Sequence, residues 1–153
     1  MCAVSLCTIS LRAAHADAQG NMLRALSQKY GNSVVTLQMV IKSSYDGESG
    51  QSQIEADGLL IDPSGLVVTT NSAVDPAALY ASAMGEEAMG RISFSVVSAK
   101  IRLANGQEIP ARVVLRDRDR NLAFVRPLKK PSQNLTFVNF KGKTNGRLGD
   151  SAY

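Results

Sequence analysis

The sequence predicts an all-β fold: a small six-stranded antiparallel β-barrel with a short N-terminal helix. Three observations predict it. Short runs rich in Val, Ile, Leu and Thr recur along the chain, turn-forming residues separate them, and a long helical periodicity is missing beyond Tyr30. A chain of 153 residues holds one hydrophobic core and is short for two.

The elements follow in order. Cys2 to Leu11 is an apolar stretch broken only by small hydroxyl residues, and Ala14-His15-Ala16 follows it. Together they read as the apolar region and cleavage site of a secretory signal over residues 1–16, although a basic start is missing and Arg12 falls late. The alternative is an amphipathic or disordered tail. A signal places the protein outside the cytoplasm, secreted or periplasmic. A lipid anchor at Cys7 is a poorer reading, because Ser5-Leu6 before it is not a good lipobox. No transmembrane segment is expected, since no run reaches the roughly 18 apolar residues a span requires.

Residues 17–32 are expected to hold the helix, with Met22, Leu23, Leu26 and Tyr30 at helical spacing, Asn21 as N-cap and Gly31 as the residue past its C-terminus. The barrel is expected over residues 33–147. Val34, Val35, Leu37, Met39, Val40 and Ile41 form a β-rich run, and Ser43 to Gln53 reads as a long polar connection. Ile54 to Ile61 and Leu66 to Thr69 flank Asp62-Pro63-Ser64-Gly65, a tight-turn composition. Asn71 to Met84 is Ala-rich and compatible with a helical turn or two, and Gly85 to Arg91 reads as irregular. Ile92 to Leu103 and Glu108 to Leu115 are strands around Asn105-Gly106, a type I′ signal, and Leu122 to Arg126 closes the series. Val34, Val35, Leu37, Ile61, Val67, Val113 and Val125 are the expected core.

The scarce residues restrict the chemistry. His15, Cys2 and Cys7 all fall in the first sixteen positions, so a chain cleaved after Ala16 has no disulfide, no Cys/His metal site and no imidazole base. No cofactor and no metal are expected. Asp57, Asp62 and Asp75 lack the spacing of a calcium loop and fit turn or cap duty. Charge is unevenly spread, at −4 over residues 17–110 and +7 over residues 111–153. The basic segment comprises Arg112, Arg116, Arg118, Arg120, Arg126, Lys129, Lys130, Lys141, Lys143 and Arg147. Only Phe124, Phe137 and Phe140 accompany it and no nucleic-acid motif is present, so a solvated rim or an acidic protein partner fits better than nucleic acid.

Asp57-Gly58-Leu59-Leu60-Ile61-Asp62-Pro63-Ser64-Gly65-Leu66-Val67-Val68-Thr69-Thr70-Asn71-Ser72-Ala73-Val74-Asp75 resembles the hairpin that leads to the catalytic histidine in HtrA/Deg-type, trypsin-like serine proteases. Arg116-Asp117-Arg118-Asp119-Arg120-Asn121-Leu122-Ala123-Phe124-Val125 resembles the Asp-Leu-Ala-Val-Leu stretch carrying that family's triad acid, and Leu148-Gly149-Asp150-Ser151 the approach to its second barrel. The resemblance spans Ser33 to Ser151, with an insertion around Tyr80 to Phe94. It implies the N-terminal barrel of a serine endopeptidase, with residues 148–153 starting an inter-barrel linker.

The same resemblance implies a degenerate site. Ser72 stands in the place of the histidine and Asn121 in the place of the aspartate. A triad needs an imidazole to take the nucleophile's proton and a carboxylate to stabilise the resulting cation; a hydroxyl and an amide do neither. The family's Gly-x-Ser-Gly-Gly stretch does not occur, and Gly149-Asp150-Ser151 is followed by Ala152 and Tyr153 instead of glycines. The leading expectation is a truncated or inactive, pseudoprotease form. The alternative is a non-enzymatic module binding a peptide or protein, a missing second barrel among the candidates. The third, an active hydrolase, would need a pairing such as Ser72 with Lys100 or Lys42.

Overall fold

The computed structural model describes residues 7–77, 80, 83 and 92–141, with side chains from residue 19 onward. Helix α1 (Cys7–Tyr30) runs into a 3-10 turn (Gly31–Ser33) and then the barrel strands: β1 (Val34–Tyr45), β2 (Glu48–Leu60), β3 (Val67–Thr70), β4 (Ile92–Arg102), β5 (Glu108–Asp117) and β6 (Leu122–Pro127), with a single helical turn α2 (Asn71–Val74) after β3. All six strands pair antiparallel in a closed cycle, β1-β2-β3-β6-β5-β4 and back to β1. Helix-poor composition and frequent turns thus give the barrel the sequence predicts.

Several local expectations need correction. Asn21 is not an N-cap but lies inside α1, where its Oδ1 accepts from Arg24 Nη1 at 2.9 Å. Gly31 does not end the helix in a left-handed turn, because the 3-10 turn continues it and the Ser33 hydroxyl donates to the Tyr30 carbonyl. Met22 and Leu23 are exposed, so the helix's apolar spacing is not spent on the barrel. The supposed loop from Ser43 to Gln53 is mostly strand: β1 and β2 pair from Val34↔Leu59 out to Tyr45↔Glu48 around Asp46-Gly47. Both turn residues have positive φ, 48° and 88°, the two-residue geometry that Asp-Gly favours. Polar residues suit these arms because both faces meet solvent there.

Conversely, Asn105-Gly106 sits at the tip of the β4–β5 hairpin without being type I′. Only Gly106 has positive φ (84°), and the loop closes through Gly106 N–H to Leu103 C=O and Leu103 N–H to Gln107 C=O, both 2.9 Å. This is a type I turn followed by a left-handed glycine, a three-residue hairpin loop. Asp62-Pro63-Ser64-Gly65 makes the expected turn. Gly65 N–H reaches the Asp62 carbonyl at 3.0 Å, and Asp62 Oδ1 accepts from Ser64 N–H at 2.8 Å.

The core is built from inward residues of every strand, among them Val35, Leu37, Met39, Leu60, Val67, Ile101, Ala123 and Val125, all at most 2% exposed. Of the expected core, Val35, Leu37, Val67 and Val125 are buried, Ile61 and Val113 are half-buried, and Val34 is 50% exposed because alternation along β1 turns it outward. Gly58 is required by this packing: a Cβ there would lie 2.5 Å from Val67 Cγ1. Leu135 and Phe137 pack onto the core from the segment after β6, which Val138 N–H ties to the Leu60 carbonyl at 2.8 Å.

Candidate functional site

The two positions singled out by the sequence, 49 residues apart, meet at one end of the barrel. Strand β3 delivers Ser72 into α2, and the β5–β6 turn delivers Asn121 beside it. Thr70 gives α2 no side-chain cap, so its free N–H groups find partners across the chain. Asn71 N–H donates to the Asn121 carbonyl and Ser72 N–H to Asn121 Oδ1, both 2.9 Å. Asn121 holds a left-handed backbone (φ 53°), which Asn tolerates better than most residues. One residue thereby closes a turn with its backbone and caps a helical turn with its side chain.

Beside this pair, the buried Asp75 carboxylate (8% exposed) takes two guanidinium groups, Arg118 Nη2 at 3.2 Å and Arg116 Nη1 at 3.5 Å. Its Oδ1 also accepts from Ala77 N–H at 3.3 Å. Arg116 reaches it because of a β-bulge. The register between β5 and β6 shifts from Val113↔Val125 to Leu115↔Phe124, leaving Val114 as the extra residue. Regular alternation from the inward Ala111 and Val113 would turn Arg116 outward; the bulge sets it opposite the buried Ala123. Leu115 is turned out in exchange, at 57% exposure.

A second bulge faces the first. Between β1 and β4 the register passes from Val40↔Ser98 to Ile41↔Val96, so Val97 is extra and 55% exposed. The bulge explains why Ile92, Phe94 and Val96 turn inward on one side of it and Ala99 and Ile101 on the other. The β4–β5 ladder runs only from Arg102↔Glu108 to Ala99↔Ala111. Beyond it the strands part at the two bulges, and among the described residues nothing pairs with the facing margins of β4 (92–98) and β5 (112–117). The seam opens into a cleft of about 810 Å³ whose lining includes Ser72, Asp75, Ile92, Phe94, Arg116, Arg118 and Asn121. Asn71 lines it too, with its Oδ1 buried and unpaired among the described residues. An orphaned buried acceptor costs about 1–3 kcal/mol.

The other sequence candidates lie elsewhere. Lys100 pairs with Glu108 at 2.7 Å, and neither it nor Lys42 lines the cleft with Ser72. Asp62 is a turn residue, Asp57 offers its backbone carbonyl to the Thr69 hydroxyl at 2.7 Å, and Asp75 is the arginine acceptor, so the three do not converge. Of the basic segment, Arg120 pairs with Asp117 at 2.8 Å, while Arg112 faces Arg126 across the ladder, both exposed. Leu148, Gly149, Asp150, Ser151, Lys143, Arg147 and most of the insertion around Tyr80 to Phe94 lie outside the described residues.

Neither bulge, nor the pair of arginines on Asp75, is among the features expected from the sequence. The β4 bulge does leave a signal: apolar positions run Ile92, Phe94, Val96 and then Val97, Ala99, Ile101, a change of phase by one residue. A scan against protein-family models and a search of curated proteins both return no match to this chain.

Proposed function

We propose that this chain is a trypsin-like N-terminal barrel related to the HtrA/Deg-type serine proteases, with a degenerate catalytic site, and that it binds protein or peptide instead of hydrolysing it. The contact between Asn121 Oδ1 and Ser72 N–H carries the reading. The positions that resemble the family's acid and base lie side by side, as a triad requires, and hold groups with no proton-accepting function at neutral pH. Asp75 offers no substitute base, since its carboxylate is already held by Arg116 and Arg118. The non-enzymatic alternative is favoured by the open seam beside the site, which suits recognition without catalysis. Export belongs to the same proposal and would be seen as a chain beginning at Asp17 in the secreted or periplasmic fraction.

A fluorophosphonate probe tests the reading. The purified chain is expected to remain unlabelled while trypsin in the same buffer is labelled, and labelling at Ser72 would overturn it.

A further inference from the structure

We infer that the seam between β4 and β5 is a strand-acceptor site that takes an extended acidic peptide. Three observations converge. First, the margin 92–98 of β4 offers backbone N–H and C=O groups with no partner among the described residues, and an unpaired edge is a template for an added strand. Second, the two bulges that hold the seam open leave Val97, Val114 and Leu115 exposed along it, so apolar side chains of a docked strand have surfaces to cover. Third, the margins differ in charge. Ile92-Ser93-Phe94-Ser95-Val96-Val97-Ser98 carries none, whereas β5 and its turn bring Arg112, Arg116, Arg118 and Arg120 against Asp117, which Arg120 pairs, and Asp119, an excess of positive charge.

Charge selects the occupant. Arg116 and Arg118 share the single carboxylate of Asp75, and Arg112 forms no ion pair among the described residues while facing Arg126 in register. The 77% exposed Arg118 retains donors for a further carboxylate at the cleft end of the seam. A peptide strand hydrogen-bonded along β4, with alternating Asp or Glu on its outer face beside the exposed Arg112 and Arg118, answers both margins at once. This proposal deepens the non-hydrolytic reading and rests on it, since a peptide held beside Ser72 and Asn121 is retained uncut.

The test uses the full chain and fluorescein-labelled nonapeptides of alternating Val and Glu, with Val and Lys in the same pattern as control, followed by polarisation. The Glu peptide is expected to bind at least tenfold more tightly than the Lys peptide, and Arg118→Glu to weaken it about tenfold. N-methylation of alternate peptide amides is expected to abolish binding at least in the phase that faces β4, because only every second amide of a strand faces a given neighbour. Equal binding of the two peptides, or indifference to methylation in both phases, overturns the proposal. So does a dimer in sedimentation that Arg118→Glu dissociates, which would give the seam to a second copy. Mass spectrometry of the bound peptide separates the two readings. Cleavage refutes the non-hydrolytic barrel, whereas failure to bind refutes the strand-acceptor site and leaves that barrel standing.

Discussion

Asn121 shows how one residue satisfies two demands that are easily read as one. Its left-handed φ and its amide oxygen on Ser72 N–H serve the turn and α2, and both demands are met equally well by aspartate. Asn121→Asp is therefore expected to fold with unchanged stability and remain inactive toward the fluorophosphonate probe, while Asn121→Ala loses the cap and strains the backbone, costing about 2–3 kcal/mol in chemical denaturation. The place of Asn121 was legible because the Leu122-Ala123-Phe124-Val125 strand that follows fixes it. The role of Asp75 was not, because its partners Arg116 and Arg118 lie more than forty residues away and arrive through a change of strand phase.

At the scale of the element, hairpin positions were legible and strand lengths were not. Turn chemistry is local, so Asp62 to Gly65 and Asn105-Gly106 marked their hairpins, whereas the Ser43 to Gln53 arms take strand form through pairing with each other and look like loop by composition. The bulges follow the same logic, being properties of a pair of strands. Deleting Val97 and Val114 together restores plain alternation without turning Val96, Phe94 or Arg116 outward. The expected result is extension of the β4–β5 ladder, read as new amide protection over residues 92–98 and 112–117 in hydrogen exchange, with loss of peptide binding. Turn carboxylates also add a small pH dependence. The Ser64 hydroxyl and N–H hold the Asp62 carboxyl below its ordinary range, and the Arg120 guanidinium and N–H do the same for Asp117. A depressed carboxyl stabilises the fold above its unfolded pKa and loses that contribution as pH falls through its folded value. Stability is expected to drop below about pH 4, and Asp62→Asn with Asp117→Asn to flatten part of that drop in thermal melts.

For the whole molecule, the closed cycle of six strands places β1 between a neighbour reached through a two-residue turn and a neighbour up to 66 residues away, since Thr36 pairs with Asp57 and with Arg102. Such an arrangement has a kinetic meaning. Loop-closure entropy favours the Asp46-Gly47 hairpin as an early event and makes the β1–β4 junction a late one, so the barrel shuts along a line next to its own open seam. Gly47→Ala, which disfavours the left-handed turn, is expected to slow refolding, and Ala99→Gly near the junction to speed unfolding with little change in the folding rate, both measured by stopped-flow chevrons. The last strand pair to form on the way in would be the first to part on the way out, so brief opening at β4 would be the chain's cheapest excursion from the native state.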